Sequence, residues 1–269
     1  MILYKYVSYS TASLILKNKS LWFSAASKLN DAFETSAGFG HVRFDSFLGE
    51  FNRSTITEHR FRILCLTRDP LSSIMWAHYS DQNRGVVIGI DSEMAMLEDE
   101  KTCALPAQYG SMIYTRTMPN SPYGNKNDLP KNYPTDDCYD HKYFQFLQRN
   151  FLYKSAEWHH EEEVRILKTT SSLNKSPWEV FSESDSYFPP DGFEFKIPSE
   201  SIREIYLGPR FYEIDYDHMA GIFNFLTHEA PHAKIFDVFR DRKSWRLTCR
   251  EVGDWRAHLR ELIYPGSEP

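Results

Sequence analysis

Cysteine is scarce and scattered. Cys65, Cys103, Cys138 and Cys249 stand far apart in a chain of 269 residues, with no Cys-x-x-Cys pair among them. That spacing argues against a zinc ribbon and against a dense disulfide scaffold, and four reduced thiols are expected. No apolar run approaches the roughly 18 residues of a membrane span, and the first ten residues lack a charged segment followed by an apolar one. The expectation is a soluble, cytoplasmic protein with no membrane partner. Positive charge is not in excess either: Lys plus Arg number 31 against 37 Asp plus Glu, a net charge of −6. No global basic field holds this chain on nucleic acid, so any such contact must come from a local patch. Neither a Gly-x-Gly-x-x-Gly nor a Gly-x-x-x-x-Gly-Lys-Ser/Thr loop follows any candidate strand, which disfavours Rossmann and P-loop readings. No solenoid-period repeat is present.

Aromatic residues are abundant. With 19 Phe, 16 Tyr and 6 Trp, and 41% hydrophobic residues overall, the chain is neither disordered nor of low complexity. Its length lies between one and two average domains of ~150 residues, and a single domain over 1–269 is expected. Strands are expected at Ile2 to Val7, Leu21 to Ser24, Arg62 to Thr67, Val86 to Ile90, Glu162 to Leu167, Ile202 to Leu207, Lys234 to Phe239 and Trp245 to Val252. Helices are expected from a Ser10-Thr11 cap through Lys17, over Ser72 to Tyr79, over His141 to Tyr153, and from Asp215 to His228. Proline-rich and irregular compositions mark insertions near 117–137 and 171–195. Strands and helices mix without a strand-helix-strand rhythm, so the class is α+β with a largely antiparallel sheet.

Four clusters carry candidate chemistry. In Lys154-Ser155-Ala156-Glu157-Trp158-His159-His160-Glu161-Glu162-Glu163-Val164-Arg165, a strand period of two puts Glu161, Glu163 and Arg165 on one face. Trp158 and Lys154 supply a stacking plate and a cation beside the carboxylates; the plainer alternative is a solvated strand edge of cross-paired charges. Trp76 and Tyr79, at i and i+3, share one side of a helix end and serve equally as core residues. In Tyr4-Lys5-Tyr6, Lys5 faces opposite its tyrosine neighbours. Trp22-Phe23-Ser24 is followed by Asn30-Asp31 and Phe33-Glu34, where Asn-Asp also suits an Asx turn.

In this order the four clusters resemble a bacterial family of uncharacterised proteins often encoded in phage-defence and toxin–antitoxin loci. The family's Tyr-Lys-Tyr strand is matched by Tyr4-Lys5-Tyr6, its Leu-Trp-Phe-Ser strand by Leu21 to Ser24, and its Asn-Asp-x-Phe-Glu box by Asn30 to Glu34. Its Met-Trp-Ala-His-Tyr-Ser box is matched by Met75 to Ser80, and Lys-x-x-x-Trp-x-x-Glu-x-Glu-x-Arg by Lys154 to Arg165. That family in turn resembles the ADP-ribosyltransferase superfamily, which implies split, mainly antiparallel sheets with flanking helices around a cleft that binds NAD as substrate, with no metal. By position the resemblance implies Lys5, Tyr6, Ser24, Asn30, Trp76, Tyr79 and Arg165 as NAD contacts, although Lys5 stands where the superfamily usually has His or Arg. It implies Glu163 as the catalytic carboxylate and Glu161 as the residue that orients or deprotonates the acceptor. A fixed carboxylate is the chemistry that oxocarbenium-like charge requires.

The resemblance further implies a macromolecular acceptor, RNA in preference to DNA or protein, and a neutralising antitoxin or a chaperone. Aromatics in the irregular stretches, among them Tyr123, Tyr133, Trp178, Phe181, Tyr187 and Phe188, could anchor such a partner. Two other classes stay open: a non-catalytic sensor or interaction module, and a metal-dependent nuclease using His159-His160-Glu161-Glu162-Glu163 or Asp136-Asp137-Cys138-Asp140-His141, neither of which has an established ligand spacing. Arg240, Arg242, Lys243, Arg246 and Arg250, interleaved with Trp245, form either a strip suited to single-stranded nucleic acid or a solvated strand face with one buried tryptophan.

Overall fold

The computed structural model describes residues 1–34, 60–119, 137–170, 191–213, 222, 225 and 228–253. Of the expected 215–228 helix only Ile222, Phe225 and His228 are described, all three helical and the first two buried; nearly all of the 117–137 and 171–190 stretches and the six candidate anchor aromatics lie outside the described residues. Within them the protein is a mixed α/β structure, its sheet pairing mainly antiparallel. The chain forms two compact units. The first comprises Met1–Ser20, Leu66–Ala95 and Lys196–Pro269, and the second Leu21–Cys65 and Met96–Phe195.

In the first unit, β1 (Ile2–Val7) leads into α1 (Tyr9–Asn18). The N-cap is Ser8, whose hydroxyl accepts from the Thr11 amide, rather than the expected Ser10-Thr11. The displacement follows from the chain leaving β1 at Val7, so that Ser8 is the first residue whose side chain reaches the orphan amides of the opening turn. The buried Tyr9, Ala12, Ile15 and Leu16 mark the helix's inner face at helical spacing. Lys19, in the left-handed region at φ 50°, closes it. The helix α2 (Ser73–Tyr79) is capped by Ser72 and buries Met75 and Trp76.

Strands β4 (Val86–Asp91), β9 (Ile202–Leu207), β10 (Lys234–Arg240) and β11 (Leu247–Glu251) complete this unit's sheet, in the order β11-β10-β9-β4-β1. All neighbours are antiparallel except β9 and β10. The last two residues of β3 (Phe61–Thr67) belong to this unit, and Thr67 pairs with Tyr4 on the far side of β1. β1 is therefore flanked on both sides. Its core includes Tyr6, Trp76, Val87, Tyr206 and Val238. A fully buried valine such as Val87 contributes roughly 1.5–3 kcal/mol.

In the second unit, β3 pairs with β2 (Ser20–Ser24) and β7 (Glu163–Thr169), and β2 with β8 (Gly192–Lys196). β8 occupies ground expected to be irregular up to residue 195: its Phe193 and Phe195 both pack on Phe23, a period-two apolar signal carried by only five residues. The short strands β5 (Ile113–Thr115) and β6 (Tyr153–Ser155) form a parallel pair. The helix expected over His141 to Tyr153 is a 3-10 turn, His141–Tyr143, followed by α3 (Phe144–Phe151), and its last expected residue is the first of β6. Phe61, Ile63, Phe146, Leu147, Phe151 and Leu167 supply much of this unit's core. Among the described residues no helix is long and apolar enough to cross a membrane.

Candidate functional site

Every residue of β7 is buried, charged ones included, so the alternative of a solvated strand edge does not hold for Glu163 and Arg165. The charges are satisfied by one another. Arg165 donates from Nε to Glu163 Oε1 at 2.7 Å and from Nη2 to Glu163 Oε2 at 3.3 Å. Its two Nη atoms grip Glu34 bidentately, both at 2.7 Å, and Nη1 also donates to the Phe151 carbonyl at 2.9 Å. A guanidinium has five N–H donors, and here all five are spent. Lys154 Nζ donates to Glu161 Oε2 at 2.6 Å and to Glu163 Oε2 at 3.0 Å, and lies 3.9 Å from Glu34 Oε1. Three carboxylates thus share two cations.

The backbone fixes the arrangement. Glu161 ends the 3-10 turn Ala156–Glu161, and Glu162, left-handed at φ 41°, turns the chain into β7. The strand-period expectation therefore reaches the right juxtaposition by a different route. Glu163 N–H donates to the Tyr114 hydroxyl at 2.9 Å, linking β7 to β5. Gly110 lies against β7: a Cβ there would stand 1.9 Å from the Arg165 carbonyl oxygen, so only glycine lets the two backbones approach. Lys154, on β6, also sits 4.8 Å from the centroid of the Trp158 ring.

Burial alone would raise the Glu163 carboxyl, but Arg165 and then Lys154 draw it down to about 2, with the Cys65 thiol adding a hydrogen bond. Burial likewise works against the Lys154 ammonium, yet Glu163 and Glu161 carry it above its ordinary value. Burial pushes the Tyr114 hydroxyl up to about 12. Glu163 is consequently a desolvated carboxylate that stays ionised.

Beside the cluster is a pocket of about 220 Å³ in the same unit, lined by Asp31, Phe33, Arg116, Met118, Tyr153 and Lys154 among others. A second hollow, lined by Asn30, Asp31 and Glu34, lies on the Asn-Asp-x-Phe-Glu segment. Asp31 makes the Asx turn considered for it, accepting from the Phe33 amide at 2.9 Å. That turn leaves Phe33 64% exposed while the Glu34 carboxylate turns inward to Arg165.

The candidate residues divide between the units. Glu161, Glu163, Arg165, Ser24 and Asn30 belong to the second, and Lys5, Tyr6, Trp76 and Tyr79 to the first. In the first unit Trp76 is fully buried: its Nε1 donates to the Pro70 carbonyl, and its ring meets Tyr6 edge-on at 5.4 Å. The Tyr6 hydroxyl donates to Asp69 O and accepts from Ser72 N, tying β1 to the start of α2. Both therefore act as core residues. Tyr4 and Tyr206 both donate to Glu204 Oε2. The sequence quotes Glu34 within a box but gives it no role; Tyr114 and Cys65 are missed, and neither has a local pattern that could have signalled its place. The His159 and His160 Nδ1 atoms face the backbone carbonyls of Ala156 and Glu157, and among the described residues no group of three or more His, Cys, Asp or Glu is arranged to hold a metal ion.

No curated protein and no solved structure matched the chain. A family model described as "Protein of unknown function (DUF2971)" matches residues 75–166, about a third of the chain, a span that runs from the start of the Met-Trp-Ala-His-Tyr-Ser box through Arg165.

Proposed function

We propose that this protein is a toxin-type, NAD-dependent ADP-ribosyltransferase of a phage-defence or toxin–antitoxin system, with a macromolecular acceptor among which RNA is favoured. The observation that carries this reading is Glu163: a buried carboxylate, kept ionised by Arg165 and Lys154, next to a pocket that includes Lys154 in its wall. With three carboxylates against two cations, the cluster holds an excess of negative charge where a developing oxocarbenium gains most from it. In this mechanism the C1′–N bond of NAD breaks and nicotinamide leaves with the electron pair. Glu163 stabilises the ribosyl cation, the acceptor's nucleophile forms the new bond to C1′, and Glu161 takes the acceptor's proton. Arg165, with every donor engaged, is a positioning residue rather than a phosphate ligand. Phe33 and Tyr153 offer the nicotinamide ring its walls, and Ser24 and Asn30 remain the second unit's polar NAD contacts.

A second reading is favoured by the same cluster's completeness. Glu161 and Glu163 are 4% and 5% exposed, and both oxygens of Glu163 are already partnered, which suits a purely structural fastener inside a non-catalytic module. Incubation with labelled NAD and separate pools of RNA, DNA and protein separates the two. Transfer by the wild type, reduced on the order of a hundredfold or more in Glu163→Gln and in Glu161→Gln, is the expected result. Undiminished turnover in both variants, or a wild type that consumes no NAD with any pool, overturns the enzymatic reading.

A further inference from the structure

The first unit carries a surface that the NAD reading does not use. β10 and β11 form a hairpin whose last pair is Arg240 and Leu247, joined by the six-residue loop 241–246. The loop is organised from within. Asp241 N–H donates to the Arg246 carbonyl at 3.0 Å, while the Asp241 carboxylate accepts from the Lys243 amide and the Ser244 hydroxyl, each at 2.8 Å. The only acidic residue of the loop is thereby spent on backbone shape. Among the described residues, no carboxylate pairs with the side chains of Arg240, Arg242, Lys243 or Arg246, all of which are exposed. Arg250, by contrast, lies 3.8 Å from Asp237 and is not part of this set.

Between Lys243 and Arg246 stands Trp245, 102% exposed. The alternative of a strand face with one buried tryptophan is thus overturned: Asp241 holds residues 241–246 as a loop, and β11 begins only at Leu247. A large aromatic gains by burial, and this one is left with none. Beneath the loop runs an open groove of about 1040 Å³, whose wall also includes Arg210 and Asn83. Arg210 there is already matched by Glu213 at 2.7 Å, so among the described residues the groove's cations without a carboxylate partner are those of the tip.

We propose that this hairpin tip docks single-stranded nucleic acid, with Trp245 stacking on an unpaired base and Arg240, Arg242, Lys243 and Arg246 holding the flanking phosphates. Four cations with no carboxylate partner among the described residues, against one internally used carboxylate, in a chain of net charge −6, form the local patch that a polyanion requires. A ring exposed on both faces between cations suits a base more than it suits a protein hot spot, which needs a pocketed aromatic. A single strand is favoured over a duplex because stacking on Trp245 requires a base outside a helix. The surface belongs wholly to the first unit, so its function stands whether or not the second unit turns over NAD.

The test uses the full chain without NAD, titrated with labelled oligouridylate and oligothymidylate of about twelve nucleotides, a duplex of the same length, and vesicles containing phosphatidylserine. Single strands of both sugars are expected to bind with quenching of tryptophan emission and a log–log salt slope of about −3. Trp245→Ala is expected to weaken binding roughly tenfold to hundredfold with little change in that slope. Arg242→Gln with Lys243→Gln is expected to bring the slope to about −1.5. All three side chains are exposed, so circular dichroism should match the wild type. Equal affinity in Trp245→Ala, duplex bound as tightly as single strand, vesicles bound in preference to oligonucleotide, or no binding at low salt would each overturn the proposal.

Discussion

The two charged regions of this molecule handle charge in opposite ways. In the second unit Lys154, Arg165, Glu34 and Glu163 are taken out of water, and nearly every donor and acceptor they carry is matched inside the protein. In the first unit the cations of the 241–246 loop remain in water, and the carboxylate that could have neutralised them is engaged by the loop's own donors. Desolvation explains the contrast. A buried ion without partners is costly by several kcal/mol, so burial selects for complete pairing, whereas a solvated ion tolerates solitude and stays available to an outside ligand. Stability should therefore respond to the first kind of charge and binding to the second.

The largest expected effect comes from removing the guanidinium of the buried network. Arg165→Ala leaves Glu34 and Glu163 facing each other without their main cation and should cost about 3–5 kcal/mol of stability, read as a fall in the urea midpoint. An unchanged midpoint would mean that the network is not the fastener its geometry describes.

Acid comes next. Glu163 has its carboxyl drawn down from 4.5 to about 2, so its contribution is fully present above pH 4.5 and disappears as pH falls through that interval towards 2. Melting temperatures taken from pH 6 to pH 2 should fall more steeply for wild type than for Glu163→Gln. Parallel curves would dissolve the link between the pairing and the acid response.

The smallest effect sharpens the other side of the comparison. Trp245→Ala should alter stability by no more than about 0.5 kcal/mol, as expected for a surface residue without packing. A larger loss in the urea midpoint would mean that the tryptophan supports the fold and is not reserved for a ligand.

Much of the first unit was legible because its strands are long and apolar. The residues of β9, Ile202–Leu207, stand where the sequence puts them, and the bounds of β4 and β10 differ from expectation by one residue. The strands that escaped, β5, β6 and β8, have three to five residues each, too short for a period of two to stand out from a loop. Within the buried network, Lys154, Glu161, Glu163 and Arg165 were singled out because they lie within twelve residues of one another. Glu34 was not given its role, since it meets Arg165 across a separation of 131 residues that no local pattern encodes.

By itself the sequence determined most of the longer strands and the helices Tyr9–Asn18 and Ser73–Tyr79, because periodic apolar spacing and capping residues act over a few positions. It also determined that charge would concentrate at residues 154–165 and 240–246. Only the tertiary structure decided what each concentration became. Packing enclosed the first, so its carboxylates and cations had to find one another, and Glu34 was drawn into the set. The hairpin lifted the second into water, where hydration satisfies each cation alone and Trp245 is left uncovered. Whether a charge is paired depends on the dielectric around it, and that is a property of the fold rather than of the residue's neighbours in sequence.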